Sequence, residues 1–293
     1  MSNSRRNFLI TAALGTAAVP FGKVAAAGQT SMSAEKMTAI QGSDELLKLG
    51  VATFSLRDFS RSEAIQMINE IGARYVNIKS FHLPKEYSPE ELRAGRREFE
   101  SAGLKIMAGG VVQLPEDDDD HIRNRFEYAK HSGLPVMVIA PTPENLPRVE
   151  KFVKEYDIKV AIHNHGPETT FPGPADVLKQ IKNMDIRVGI CNDLGHTART
   201  GVDIIESIAI SGERLYDVHL KDLRDLSDND TQCVIGKGKM PVPDIFLQLV
   251  RMNYHGPVSL EYEIERDNPL EGMKQSFSYM QGVADGLGLG LRI

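Results

Sequence analysis

The chain of 293 residues contains no tryptophan, two cysteines and 6% aromatic residues. Each scarcity narrows the reading. Without tryptophan, any flat stacking platform for a ligand has to be phenylalanine or tyrosine. With only Cys191 and Cys233 there is no disulfide framework, and sequence leaves a single bridge between them open. Basic charge is also short: 34 Lys and Arg stand against 40 Asp and Glu, a formal net charge of -6. That balance disfavours nucleic acid as the partner, because a phosphate backbone needs a basic surface. No G-x-G-x-x-G follows the first predicted strand, which removes the usual dinucleotide fingerprint. The stretch "GKGKMPVPD" (236–244) lacks G-x-x-x-x-G-K-[ST], so it reads as a loop entering a helix with Pro243 or Asp244 near its start. The acidic run "EDDDD" (116–120) lacks calcium-loop spacing and reads as a solvated loop or a helix start.

Apolar residues at 41% and charged residues at 25% are an ordinary globular balance, enough for one large domain or two small ones. The beginning of the chain reads differently. In "SRRNFLI", Arg5 and Arg6 precede the small apolar stretch "TAALGTAAV", and "KVAAAG" then places Ala25 and Ala27 in an A-x-A arrangement. Basic, apolar and small-residue regions in that order predict a twin-arginine-type export signal over 1–27 and a periplasmic destination. The apolar run is too short to span a bilayer comfortably, so no stable membrane insertion is expected once the signal is removed. No cysteine follows it, which argues against a lipoprotein. A polar leader over 28–43 and a folded domain over 44–293 complete the expected organisation.

From Leu49 onward a pattern repeats. Short runs rich in Val and Ile fall at 49–55, 74–80, 104–110, 135–141, 159–165, 187–193, 215–222 and 257–263. Their length and composition suit strands. Between them lie segments with apolar residues at helical spacing, such as "RSEAIQMINEIGA" and "ENLPRVEKFVKEYD". Gly72, Gly103 and Gly133 each stand where a helix would end in a left-handed residue before the next strand. Eight strand-helix units over this length predict an α/β fold, a (β/α)8 TIM barrel without an internal domain boundary.

In such a barrel, chemistry gathers where strands end and the next loops begin. The last four runs end in "IHNHG", "CNDLGH", "VHLKD" and "SLEYE". Side chains alternate along a strand. With Val160 and Ile162 facing the helices, His163 and His165 face inward, and alternation alone does not choose between them. Cys191 and Asp193 share a face; so do Asp217, His219 and Lys221, and so do Ser259, Glu261 and Glu263. A lone His or Asp at a strand end is more often a satisfied rim residue or a helix cap. Four at one mouth are costly without a compensating cation. One divalent ion held by His163, Asp193, His219 and Glu261 is therefore expected, with Mn, Co, Zn or Fe(II) suited to two imidazoles and two carboxylates, and Mg less so.

"DLGHTARTG", "VHLKD" and "GPVSLEYE" resemble the sugar isomerase/epimerase family with the xylose-isomerase-like barrel, over essentially the whole chain after the leader. The resemblance implies a divalent metal held by Asp193, His219, Glu261 and a fourth ligand from the fifth strand, whose register favours His163. It also makes His196 a substrate contact. Where many epimerases of the family keep a glutamate, this chain has His163, which is similar to the inosose dehydratase branch. Epimerisation at one carbon wants a base on each face. The expected activity is therefore a metal-dependent lyase or hydratase acting on a keto-sugar or keto-glycoside, with a sugar isomerase/epimerase and a non-catalytic sugar-binding protein as alternatives. The expected partner is a small-molecule sugar or glycoside. His165, Lys221 and Glu261 are the candidate catalytic groups, Lys221 as a base if a nearby metal depresses its pKa. Lys79, His82, His196 and Arg199 are the candidate substrate contacts, Phe54 or Phe81 a stacking platform, and Glu263 a candidate partner for a metal-bound His.

Overall fold

A computed structural model describes residues 47–289. The expected signal (1–27), leader (28–43) and domain start at 44 lie outside the described residues. Eight strands form a closed barrel: β1 (Lys48–Ala52), β2 (Tyr75–Ile78), β3 (Lys105–Leu114), β4 (Val136–Pro141), β5 (Lys159–His163), β6 (Val188–Asp193), β7 (Leu215–Leu220) and β10 (Pro257–Leu260). All neighbours run parallel, and β10 closes the ring between β7 and β1. The predicted TIM barrel is the fold observed.

The helices form where the local signals point. Ser60 and Ser88 cap α1 (Arg61–Ile71) and α2 (Pro89–Ser101) with reciprocal bonds to Glu63 and Glu91. Gly72 and Gly133 end α1 and α3 (Asp119–Ser132) in the left-handed conformation. The acidic run supplies the cap of α3: the Asp118 carboxylate accepts from the His121 N–H. The remaining helices are α4 (Leu146–Tyr156), α5 (Pro174–Ile181), α6 (Leu194–Ala198), α7 (Ile204–Ser211), α8 (Val242–Arg251) and α9 (Leu270–Gly286). Pro243 and Asp244 fall in the first turn of α8, as expected. Among the described residues, no helix is long and apolar enough to cross a membrane.

Most strands stop short of the apolar runs that announce them. β5 ends at His163, because the His165 and Gly166 N–H groups turn away to the Phe171 and Pro172 carbonyls. β3 instead runs on to Leu114 through a bulge at Gly110, whose φ of 130° and whose contact with the Val138 carbonyl leave no room for a side chain. A small antiparallel ribbon, β8 (Asp222–Leu223) with β9 (Gln232–Cys233), leaves the barrel just after β7 and was not foreseen.

The main core lies between strands and helices, with Val76, Ile78, Ile139, Val160 and Ile162 fully buried against helix residues such as Phe99, Phe126 and Phe152. The barrel interior has two unlike halves. Ala108, Val136, Val138, Ala161 and Cys191 form one apolar cluster. Asn77 on β2 reaches Asp217 on β7 across two intervening strands, so the other half carries buried polar groups beneath the mouth. Gly50 belongs to the close strand contact on this side. A β-carbon there meets the Tyr75 carbonyl oxygen at 2.5 Å, in the strand paired with it. Gly50→Ala is expected to destabilise the barrel by about 1–3 kcal/mol through overpacking, measured as a shift in the denaturation midpoint with an unchanged slope.

Candidate metal centre and active site

His163 closes β5, Asp193 closes β6, His219 lies one residue inside the end of β7, and Glu261 stands one residue past β10. One ligating atom from each lies within 4.8 Å of all the others. His163 Nε2 is 3.1 Å from His219 Nδ1 and 3.6 Å from Asp193 Oδ2. His219 Nδ1 is 3.2 Å from Glu261 Oε2 and 3.9 Å from Asp193 Oδ2. Four ligands about 2.0–2.2 Å from one ion in a tetrahedron stand roughly 3.4 Å apart, so the spacing fits a divalent cation. Asp193 Oδ2 is buried and accepts no hydrogen bond; the ammonium beside it, Lys221 at 3.1 Å, is shared with Glu261 and Glu263, so the oxygen keeps lone pairs for an ion. The donor set of two imidazoles and two carboxylates suits Zn, Mn, Co or Fe(II). Of the two histidines that alternation left open, His163 joins this group. His165 stands beside it, Nδ1 to Nδ1 at 3.4 Å, and lines the cavity above.

His219 is aimed from below. Its Nε2 is 3.2 Å from Asp217 Oδ2 and 3.1 Å from Asn77 Nδ2, while Asn77 Nδ2 also donates to Asp217. An imidazole held at one nitrogen by a carboxylate turns the other toward the ion. Asp217 was legible as an inward neighbour of His219; its role was not, nor was that of Asn77, which comes from the far side of the ring. Cys191 also lies below, within reach of His163 and His219, and burial pushes its thiol up to about 12. Both cysteines are free, which closes the question of a bridge.

Above the group, a cavity of about 310 Å³ opens at the ends of the strands. Lys79, His165, His196, Lys221 and Glu263 line its polar wall, and Phe54, Phe81 and Val111 its apolar one. The Phe54 and Phe81 rings are 5.9 Å apart, the Arg57 guanidinium sits over Phe54, and Phe81 is 53% exposed. Lys79 Nζ lies 3.4 Å from Glu261 Oε1. Asp193 caps α6, its Oδ1 accepting from the His196 N–H, and His196 Nε2 stands 3.8 Å from Asp193 Oδ2. Burial lowers the His196 imidazole to about 4, so it is neutral at physiological pH. Burial likewise lowers His163, strongly, and His165.

Lys221 is an ion-paired ammonium: burial works against its charge, but Asp193, Glu261 and Glu263 outweigh it and hold it well above its ordinary pKa. Its Nζ lies 3.1 Å from Asp193 Oδ2 and 3.2 Å from Glu261 Oε2. Three expectations need correction. Glu263 pairs with Lys221 and not with a histidine. Arg199 does not line the cavity; it donates to the His165 main-chain carbonyl and to His196 Nδ1, holding the His196 ring from behind. His82 is no substrate contact either. It is buried, and its Nε2–H is shared by the Leu56 and Phe59 carbonyls at 3.1 and 3.2 Å, tying the turn after β1 to the one after β2.

Residues 65–283 match the family described as xylose isomerase-like TIM barrel, and the chain belongs to it. Among curated relatives, a protein named inosose dehydratase from Mesomycoplasma hyopneumoniae (strain 7448) is 24% identical over 159 residues, 48% of this chain and 53% of that one. The chain thus spans about half the length of the curated relatives it matches. Among solved structures, the IolI protein with a bound zinc atom shares 18% identity at a TM-score of 0.68, covering 82% of this chain and 99% of its own. The 3-keto-D-glucoside 4-epimerase YcjR from E. coli shares 17% identity at a TM-score of 0.66, covering 80% and 99%. At these identities the structural likeness is one of fold.

Two substitutions separate the centre from its scaffold. Asp217→Ala is expected to lower affinity for a divalent ion by about 10–100-fold, read by competition with a chelator. His82→Ala is expected to leave that affinity unchanged and to cost about 2–3 kcal/mol of stability, since it leaves two buried carbonyls without a donor. Burial holds the His82 imidazole below its ordinary value of 6.5, so its contribution is complete above that pH and fades as pH falls, when the unfolded chain takes up the proton and the fold does not. The stability gap between wild type and His82→Ala should therefore narrow below pH 6.5 in denaturant titrations.

Proposed function

We propose that the protein is a divalent-metal-dependent lyase or hydratase acting on a keto-sugar or keto-glycoside. The observation that carries this reading is the make-up of the cavity wall. Epimerisation or isomerisation through opposed carboxylates wants a free carboxylate on each face of the reacting carbon. Here the end of β5 carries His163, which belongs to the ligand group, and the Glu263 carboxylate is engaged by Lys221. What stands over the cavity is an imidazole, His165, on one side and an ammonium, Lys221, on another. One base and one acid are what an elimination beside a ketone requires.

His163, Asp193, His219 and Glu261 would hold the ion, which when bound supplies Lewis acidity toward a ketone or hydroxyl oxygen of the substrate. His165 takes the proton from the carbon next to the ketone. The bond from the following carbon to its oxygen breaks, and Lys221 gives that oxygen a proton as it leaves. For a 3-keto-glycoside the proton comes from C2, the aglycone leaves C1, and the product is an enone. Hydration is the same sequence reversed. Lys79 and the neutral imidazole of His196 line the cavity and would hold substrate oxygens, and the Phe54–Phe81 wall would take an apolar sugar face. The inosose dehydratase relative supports a loss of water beside a ketone as the chemistry. The "SRRNFLI" leader supports export to the periplasm, where neutral oxidised sugars and glycosides are more available than phosphorylated ones. The net charge of -6 supports a small-molecule partner over nucleic acid.

The test is to incubate the metal-loaded protein with a 3-keto-glucoside in deuterated water and follow the proton spectrum. Release of the aglycone together with an enone is expected. Deuterium entering at C2 or C4 while the glycosidic bond stays intact would instead make the protein an isomerase or epimerase.

A further inference from the structure

β10 pairs with both neighbours only as far as Leu260. Glu261 and Glu263 lie beyond it, where β1 has already turned into a 3-10 turn (Thr53–Leu56) and β7 has ended at Leu220. The last main-chain bond to a neighbouring strand runs from the Glu261 N–H to the Leu220 carbonyl at 3.0 Å; beyond it the chain has no strand on either side to keep it extended, yet both carboxylates point to the same mouth. Side chains take the place of the missing strands. On the β1 side, Ser55 Oγ accepts from the Tyr262 N–H at 2.8 Å and donates to the Leu260 carbonyl at 3.4 Å. On the β7 side, Gln232 Nε2 donates to the Glu261 carbonyl at 2.9 Å and its Oε1 accepts from the Glu263 N–H at 2.8 Å. A neighbouring parallel strand makes this pattern around one residue, bonding the carbonyl before it and the N–H after it.

The alternation of the strand is thereby carried three residues further. Glu261 faces the cavity and joins the ligand group, Tyr262 turns into the core, and Glu263 faces the cavity again against Lys221. Gln232 touches the main chain at both carboxylate positions, so one buried amide places both. It is presented by the β8–β9 ribbon, in which Gln232 pairs with Leu223 and Cys233 with Asp222. The root of that ribbon is tied down by one carboxylate. The Asp222 carboxylate accepts from the Gly236, Gly238 and Met240 N–H groups at 2.8, 3.0 and 3.0 Å.

We infer that Gln232 is a positioning residue: its amide, bridging the Glu261 carbonyl and the Glu263 N–H, sets Glu261 in the metal group and Glu263 against Lys221, and the ribbon serves to present it. The inference rests on the four-residue group being a metal centre. In the full-length protein, Gln232→Leu removes both bonds at nearly constant volume, and Gln232→Glu keeps only the acceptor for the Glu263 N–H. Affinity for Co(II) alone, measured by chelator competition, is expected to fall about 10-fold in both, with a changed visible spectrum of the bound Co(II). A residue that merely supports the fold would lower the melting temperature and leave Co(II) affinity and spectrum at their wild-type values, and that result overturns the inference. Should Gln232→Leu not fold, the Co(II) affinity and spectrum of Gln232→Glu decide in the same way. A wild type that binds no Co(II) overturns the metal centre and this inference together, whereas a wild type that binds it beside variants that bind it equally well overturns this inference alone.

Discussion

Two carboxylates and two imidazoles meet at the mouth of a closed barrel, almost entirely out of water, and the rest of the site answers to that concentration of buried charge. Taking an ionised carboxylate from water is tolerable only if charge and hydrogen bonds are supplied in return. Lys79 and Lys221 supply part of it, yet Asp193 Oδ2 still accepts no hydrogen bond. The arrangement is costly as a purely structural one and fitting as a metal centre. The same constraint explains why so many neighbours have no free capacity: Arg199 holds His165 and His196, Glu263 holds Lys221, and Asp217 with Asn77 holds His219.

The barrel makes such a convergence inexpensive. Parallel strands all end at one mouth, so one inward residue at each of four consecutive strand ends suffices, although His163 and Glu261 are far apart in the chain. The extension past β10 shows the limit of that economy. Where strand neighbours run out, a hydroxyl from the turn after β1 and an amide from β9 bond the main chain instead, on either side of the stretch that carries Glu261. The polar half of the barrel interior does the same for His219 from underneath.

What was legible beforehand followed from periodicity. Runs of Val and Ile separated by helical spacing announced the barrel, and alternation put His163, Asp193, His219 and Glu261 on inward faces. What was misread depended on partners distant in sequence. His82 follows a strand and carries an imidazole, as a ligand contact would, but the Leu56 and Phe59 carbonyls take its N–H. Arg199 follows α6 near the mouth, but its guanidinium turns to the His165 main-chain carbonyl, 34 residues before it, and to the His196 ring. The pairing of Lys221 with three carboxylates at two other strands' ends is likewise not revealed by spacing along its own strand.

By itself the sequence determined the class of fold and the inward face of each strand, because both are set by local alternation and by the burial of apolar side chains. Only the tertiary structure decided between His163 and His165, assigned Asp217 and Asn77 to His219, and brought Gln232 to the backbone of Glu261 and Glu263. Those pairings depend on where strands stop and which loops fold back over them. That outcome is fixed by hydrogen-bond partners from the far side of the barrel, and no local periodicity records it.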